Sequence, residues 1–417
     1  MKKYKILDNT IMLMIFNIAK IVFPFITLPY LTRILTTDTY GTVTYVKTIM
    51  TYMQIFIDFG FILSATKDIV KCKNNRKELE EVVNNTILAR ILLGVIGFLI
   101  ILILCFLIPI LRSEILYVIL SYIVVFLSIF LLDFLFRGLE KMHVITIRFI
   151  LMKLISTIFT FVLVKNDSHL LLIPILDIVS TIVAIGLIKR EIKREKVKIK
   201  IIISNINIAW KLIKESFVYF LSNIAATSFN ALSTVIIGLY QSPTNVAYWG
   251  ISMQIISSIQ AFYTPISDGI YPEMIKKKDL NLIKKTIYIV TPFLLFCCIL
   301  AYLLAPLGMF ILGGEKYNDA IPIFRLLIPT AFFGFYSIIL GWPTLGAINK
   351  IKETTFSTIC SIIFNLSLLI FLIIINRFNL ITVAVARVVT EVILCVIRLY
   401  ICLKNKLLFS NENIREE

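Results

Sequence analysis

Charge is scarce in this chain: only 16% of its 417 residues are Asp, Glu, Lys or Arg, against 59% that are hydrophobic. A soluble domain of this size carries more charge and less apolar bulk, so that class is excluded. Cysteine is sparse too. The seven are Cys72, Cys105, Cys297, Cys298, Cys360, Cys395 and Cys402, and all but Cys72 fall within apolar runs. None forms a CxxC pair or a ligand-spaced cluster, so neither disulfides nor zinc is indicated. Also missing are a Walker A pattern, a GxGxxG loop and an acidic metal-binding cluster. The connectors leave no room for a catalytic domain, so an enzyme is not expected and translocation is the natural task. A cleavable signal peptide is not expected either, because the first apolar run is long, contains Lys20 and lacks a small-residue cleavage site.

What the chain does have is apolar runs of membrane length. A spanning helix needs about 20 mostly apolar residues. Lipid offers no partner for backbone N–H and C=O groups, so spans must be helices or a closed barrel. The runs are continuous rather than alternating, which selects helices. Spans are expected near 10–33, 40–66, 83–108, 115–136, 144–164, 169–188, 216–240, 245–270, 286–312, 320–345, 355–376 and 380–402. The fold class expected is therefore all-α, a polytopic membrane protein of about twelve transmembrane helices.

The net charge of +17 invites a nucleic-acid partner. The distribution of the charge argues for loops instead. One alternating set of connectors, with both termini, holds 29 of the 42 basic residues, and the opposite set holds five. The positive-inside rule assigns the first set, and both chain ends, to the cytoplasm. The most basic connector, Lys189–Lys214, divides the chain into residues 1–205 and 206–417, each with six spans. A weak internal repeat agrees with that division. Asn17-Ile18-Ala19 recurs as Asn223-Ile224-Ala225, Asp58-Phe59-Gly60 has a counterpart in Asp268-Gly269, and Gly138 is matched by Gly346. The offsets all lie between 206 and 210. An even number of spans per half makes the repeats parallel.

Charges at bilayer depth are costly and usually face a cavity or a partner. In span one Asn17, Lys20 and Pro24 share a helical face. In span two Thr44, Lys47, Thr51, Gln54 and Asp58 form one stripe. That stripe either lines a hydrated cavity or includes an ion pair, Lys20 or Lys47 with Asp58, that joins helices. Span five adds Lys153 near Ser156, Thr157 and Thr160. Arg90 and Arg148, near cytoplasmic span ends, either snorkel to the interface or meet a substrate. The second half offers the uncharged stripe Asn223, Thr227, Asn230 and Thr234. Arg387 and Glu391, four residues apart, neutralise each other. The candidate substrate cavity is thus Lys20, Lys47, Lys153, Arg148, Arg90, Asn17, Gln54, Asn223 and Asn230. Unpaired positive charge in the first half suits an anionic group such as a diphosphate, and the hydroxyl- and amide-rich surface suits sugars. Asp58, Asp133, Asp177, Asp268 and Glu391 either couple transport to protons or sodium or pair with basic residues. Prolines 24, 29, 265, 292, 306, 322, 329 and 343 interrupt spans and serve either as hinges or as static kinks.

Several segments resemble one family. Leu28-Pro29-Tyr30-Leu31-Thr32-Arg33-Ile34-Leu35 followed by Tyr40-Gly41 resembles the start of Wzx-type polysaccharide flippases. The segment Asp58-Phe59-Gly60-Phe61-Ile62-Leu63-Ser64-Ala65-Thr66-Lys67-Asp68 is similar to the end of their second span. Tyr271-Pro272-Glu273-Met274, Gly313-Gly314-Glu315-Lys316-Tyr317 with Ala320-Ile321-Pro322, and Thr390-Glu391 extend the likeness over the second half. The resemblance implies the multidrug/oligosaccharidyl-lipid/polysaccharide (MOP) exporter superfamily, with two six-helix lobes in a V and alternating access. It implies, as cargo, oligosaccharide units linked to undecaprenyl diphosphate, moved outward across the bacterial cytoplasmic membrane for O-antigen or capsule. It implies a lipid bilayer, a polysaccharide polymerase and a chain-length regulator as partners, no nucleic acid, and no cofactor beyond a coupling proton or sodium ion. Related lipid-diphosphate flippases often have arginine where this chain has Lys20, and a lysine lacks the planar fork for bidentate binding. Two other classes make different demands on the sequence. A multidrug–cation antiporter of the same superfamily would need an acidic cavity, and a membrane-embedded polymerase or glycosyltransferase would need a large external loop or an acidic motif.

Overall fold

The structure is a computed structural model that describes residues 2–200, 206–277 and 280–405. It divides into two compact units, Met1–Thr227 and Ser228–Glu417. That division falls inside a helix, α10 below, and not in the basic connector.

In the first unit, α1 (Lys2–Ile34) runs unbroken through Pro24 and Pro29. Next, α2 (Thr37–Asp58) starts on Thr36, whose hydroxyl accepts from the Thr39 N–H, with Asp38 in the first turn. Both satisfy the positive helix start. At Phe59 (φ 38°) and Gly60 (φ 80°) the backbone turns left-handed, and α3 (Phe61–Cys72) follows. The expected second span is therefore a broken one. The others in this unit are α4 (Arg76–Leu107), α5 (Pro109–Ser113), α6 (Ile115–Leu127), α7 (Asp133–Gly138), α8 (Met142–Leu163) and α9 (Leu172–Arg194). Span four is also broken: a tight turn at Ser128–Leu131 and a left-handed Leu132 separate α6 from α7. α8 packs on α1 and α9, α6 on α9, and α2 on α4 and α6.

α10 (Ile206–Tyr240) and α11 (Pro243–Lys277) each run 35 residues. At 1.5 Å per residue that is about 50 Å, beyond the roughly 30 Å of hydrocarbon. Next come α12 (Leu280–Leu303), α13 (Ala305–Gly313), α14 (Ile321–Ile339), α15 (Ile351–Ile374) and α16 (Leu380–Lys404). α14 lies at the centre of the second unit, against α11, α12 and α16, and α15 packs on α16. A wider π turn, Leu340–Gly346, ends α14 and holds Pro343 and a non-helical Gly341. Pro322 does not interrupt a span as expected, whereas Pro306 directly follows the Leu304 break that divides the expected span 286–312 into α12 and α13. Each sits at a helix start, where its missing N–H costs nothing.

Eleven helices among the described residues are long and apolar enough to cross a membrane. The remaining expected span is α11, whose Gln254, Ser257, Ser258 and Gln260 make it more polar. The outer surfaces are apolar: Phe106 is 73% exposed on α4 and Phe293 67% on α12. Side chains so placed need lipid around them. The chain is a multi-pass α-helical membrane protein.

The Asp58-Phe59-Gly60 break has a packing reason. Phe59 stacks flat on Phe220 with ring centroids 4.2 Å apart, and the Ser64 and Ser216 hydroxyls meet at 2.7 Å. A β-carbon on Gly60 would sit 2.4 Å from the Tyr219 β-carbon. Its repeat counterpart Gly269 lies inside the unbroken α11 with nothing within 4 Å, so the two copies differ in structure. Gly60→Val should cost about 1–2 kcal/mol from the left-handed backbone alone, before the collision with α10. A lowered melting midpoint of the purified protein in detergent is expected, with Gly269→Val nearly unchanged; equal midpoints for the two variants would contradict this account.

Candidate functional site

Inside the first unit, α1, α2, α6, α8 and α9 enclose a cavity of about 270 Å³. Its polar lining is Lys47 from α2, Lys153, Ser156, Thr157 and Thr160 from α8, Asp177 from α9, and Thr27, Tyr117 and Ser121. Lys153 Nζ stands 3.9 Å from Asp177 Oδ1, and the Ser156 hydroxyl donates to the same oxygen at 2.6 Å. Lys47 makes no ion pair among the described residues, though it feels the charges of both Lys153 and Asp177. Two ammonium groups and one carboxylate leave one formal positive charge in the cavity. Hydroxyls on successive turns of α8 and on α6 add neutral donors and acceptors. Such a hollow attracts an anion and can hydrogen-bond a polyhydroxylated group.

Why these residues converge is a matter of helix register. Ser156, Thr157 and Thr160 recur at helical spacing along the face of α8 that meets α9. Asp177 stands one turn past Pro174, on the face of α9 turned to α8. The α2 stripe, by contrast, splits in two. Its Lys47 end opens on the cavity, and its Gln54–Asp58 end enters a closed network. Ser128 donates to Gln54 Oε1 at 3.1 Å, Gln54 Nε2 donates to Asp58 Oδ2 at 2.9 Å, and Asp58 pairs with Arg90. Asp58 thus pairs with an arginine of α4, and not with Lys20 or Lys47.

Arg90 and Arg148 share one design. Both are buried. Arg90 holds Asp58 and donates to the Ile129 carbonyl at 3.1 Å. Arg148 holds Asp133 at 2.8 Å and donates to the Leu131 carbonyl at 3.2 Å. Each guanidinium therefore satisfies a carboxylate and a backbone carbonyl in the broken part of span four. Such a carbonyl would otherwise be unpaired in hydrocarbon. In the second unit Arg398 meets irregular backbone in a related way, with hydroxyls in place of a carboxylate. It donates to the Ser337 carbonyl beside the π turn, to Ser357 Oγ at 3.1 Å and to Thr358 Oγ1 at 2.9 Å.

The other expected residues fall elsewhere. Lys20 is exposed on α1, its ammonium 4.4 Å from the Phe16 ring centre, and it does not line the cavity. Asn17 is exposed one turn before it. Asn223 is half-buried on α10. Asn230 accepts from Arg387 at 3.5 Å. Arg387 pairs with Glu391 at 3.1 Å and lies 4.4 Å from the Phe229 ring centre, almost fully buried. The Asp268 side chain lies outside the described residues. Cavity residues the sequence did not single out are Thr27, Tyr117 and Ser121; their only signal is that each lies at i±3 or i±4 from another polar or proline position.

The sequence profile of the family described as "Polysaccharide biosynthesis protein" matches residues 6–278. A protein of Escherichia coli (strain K12) named "Putative O-antigen transporter" is 26% identical over 419 residues, covering 97% of this chain and 99% of its own length. One of the same name from Shigella dysenteriae is 25% identical over 320 residues, covering 74% and 78%. Among solved structures, the lipid II flippase MurJ in an inward closed conformation superposes with TM-score 0.68 at 15% identity, over 94% of this chain and 87% of its own. An inward-facing multidrug transporter of the MATE family and MOP superfamily gives 0.65 at 13% identity, over 94% and 100%. These structural likenesses establish a MOP-type fold.

The arginine networks yield a stability test. Arg90→Ala strands a largely buried carboxylate, and breaking such a pair costs about 3–5 kcal/mol. The variant should show a sharp drop in melting midpoint and in membrane-inserted protein, and Asp58→Asn in the same chain should recover part of it. Arg90→Ala protein as stable as the parent would refute a structural role.

Proposed function

Given that the chain belongs to the polysaccharide biosynthesis protein family, we propose that it is a flippase that carries oligosaccharide units linked to undecaprenyl diphosphate across the bacterial cytoplasmic membrane, both chain ends facing the cytoplasm. The observation that carries this reading is the cavity of the first unit, where Lys47 and Lys153 outnumber Asp177. A diphosphate needs cations that are not already neutralised, and Lys47 supplies one. A lysine is a point charge that follows its anion through a changing geometry, which suits a passing cargo better than the fixed fork of arginine. The hydroxyls of Ser121, Thr157 and Thr160 offer the proximal sugar replaceable hydrogen bonds. The two relatives named for O-antigen transport support the cargo class, and the likeness to MurJ supports a fold able to move lipid-linked cargo. Alternating access is the mechanism that such a hollow within a helical unit would serve.

A cation-drug antiporter would need an uncompensated carboxylate in its cavity. Among the described side chains, Asp58, Asp133, Asp177 and Glu391 all have cationic partners. The fold and relatives point to a transporter and not an enzyme, and no cofactor is part of the proposal. If an ion drives the cycle, Asp177 is the carboxylate placed to carry it, since it alone of those four lines the cavity. A polymerase and a chain-length regulator would receive the flipped units.

The test is complementation of a strain lacking this gene. A hydrogen bond to a charged group is worth about 1.5–3 kcal/mol. Lys47→Ala with Lys153→Ala should therefore lower surface polysaccharide at least about ten-fold at equal membrane protein. Lys20→Ala, outside the cavity, should lose far less. Full polysaccharide from the double variant would remove the cavity from the transport path.

A further inference from the structure

A second hollow in the first unit is unlike the first. It has a volume of about 320 Å³ and an almost wholly apolar wall: Ile87 from α4, Phe130 and Leu132 from the broken span four, Ile185, Ile188 and Ile192 from α9, and Ile199 beyond it. Two charged groups belong to the same lining, Lys189 and Lys193. Four residues apart on α9, they stand on one face, next to the isoleucines of the wall.

The segment closing this groove is held in place by side chains of α4. Arg76 donates to the Glu195 carbonyl at 3.3 Å, Glu80 accepts from the Lys198 N–H at 2.9 Å, and Asn84 accepts from the Lys200 N–H at 2.8 Å. Arg76, Glu80 and Asn84 are spaced by four, a single stripe facing the chain that carries Ile199. The groove is thus a built feature of the fold.

The neighbouring carboxylates are already engaged. Glu191 pairs with Arg194, Glu195 with Lys141, and Glu80 with Arg76. Lys189 and Lys193 are exposed and form no ion pair among the described residues. An apolar groove with two free ammonium groups at its edge, on the side that charge distribution assigns to the cytoplasm, is complementary to one kind of molecule. It needs a hydrocarbon chain for the isoleucine wall and an anionic head for the lysines.

We propose that this groove binds an anionic glycerophospholipid of the cytoplasmic leaflet, one acyl chain against Ile185, Ile188 and Ile192 and its phosphate between Lys189 and Lys193. The site is separate from the transport cavity, and the proposal does not depend on which cargo is carried. A lipid seated there would brace α9 against α4 and the Glu195–Lys200 segment, and so support the wall that bears Asp177.

Phosphatidylglycerol is the probe. Full-length protein is loaded with mixed phosphatidylglycerol and phosphatidylcholine, and retained lipid is counted by native mass spectrometry. The wild-type chain should retain phosphatidylglycerol selectively. Lysines near an anionic head are worth about 1 kcal/mol each, so Lys189→Gln with Lys193→Gln should weaken retention about 30-fold. Lys284→Gln with Lys285→Gln, the same loss of charge elsewhere, should leave it unchanged. Ile185→Trp fills the groove with both lysines kept, and should also abolish retention. Equal retention by the Lys189/Lys193 variant, equal retention of phosphatidylcholine, or displacement of phosphatidylglycerol by sub-stoichiometric polyprenyl diphosphate would each overturn the assignment, the last by giving the groove to the cargo. Loss of transport in the Lys47/Lys153 variant with lipid retention intact separates the two sites.

Discussion

A charge inside hydrocarbon must find a partner or water, and most of the described polar architecture follows from that. Born costs for an isolated ion reach tens of kcal/mol in a low dielectric. The chain meets the demand in two ways. Arginines 90, 148 and 387 sit nearly dry beside a carboxylate, and Arg398 beside hydroxyls and a carbonyl. Lysines 47 and 153 instead open on a cavity where water can solvate them. The difference is chemical. A guanidinium has five fixed donors and can bridge a carboxylate and a backbone carbonyl at once, whereas an ammonium is a compact, strongly hydrated charge that retains its solvent.

This division explains why the helix breaks are where they are. Breaking span four at Ser128–Leu132 exposes carbonyls, and Arg90 and Arg148 each bind one of them. Breaking span two at Phe59–Gly60 places Asp58 beside Arg90 of the unbroken α4, and the same guanidinium binds the Ile129 carbonyl, so Arg90 links the breaks of spans two and four. In the second unit the π turn at the end of α14 is met by Arg398, and a β-carbon on Gly341 would lie 2.7 Å from that guanidinium. Polar residues inside these spans thus serve first to permit irregular backbone where no water can. The cavity is what remains when that requirement has been met.

In the proposed role, function rests on a small excess. The cavity holds only one more cation than anion, and Asp177 competes with any incoming phosphate for Lys153. A weaker internal partner is useful in a carrier, because cargo that binds must also leave. Ser156 holds Asp177 at 2.6 Å, so the carboxylate has an anchor besides Lys153. The apolar groove beside Lys189 and Lys193 likewise sets lysines with no ion pair among the described residues near carboxylates that are engaged.

Amino-acid order alone was enough to give helical class, span number and the pairing of Arg387 with Glu391, because apolar length and i, i+4 spacing are local properties. It also picked out Lys47 and Lys153 as charges in need of an explanation. It could not separate Lys47 from Lys20, or tell that Arg90 and Arg148 are bound to Asp58 and Asp133, since those partners lie 15 to 32 residues away on other helices. Nor could it show that α2 breaks at Gly60 while α11 runs straight through Gly269, for the break depends on Tyr219 and Phe220 closing over the glycine. Periodicity decides which residues share a face of one helix. Only packing decides which face meets which, and with it whether a buried charge is spent on holding the fold or left free to bind.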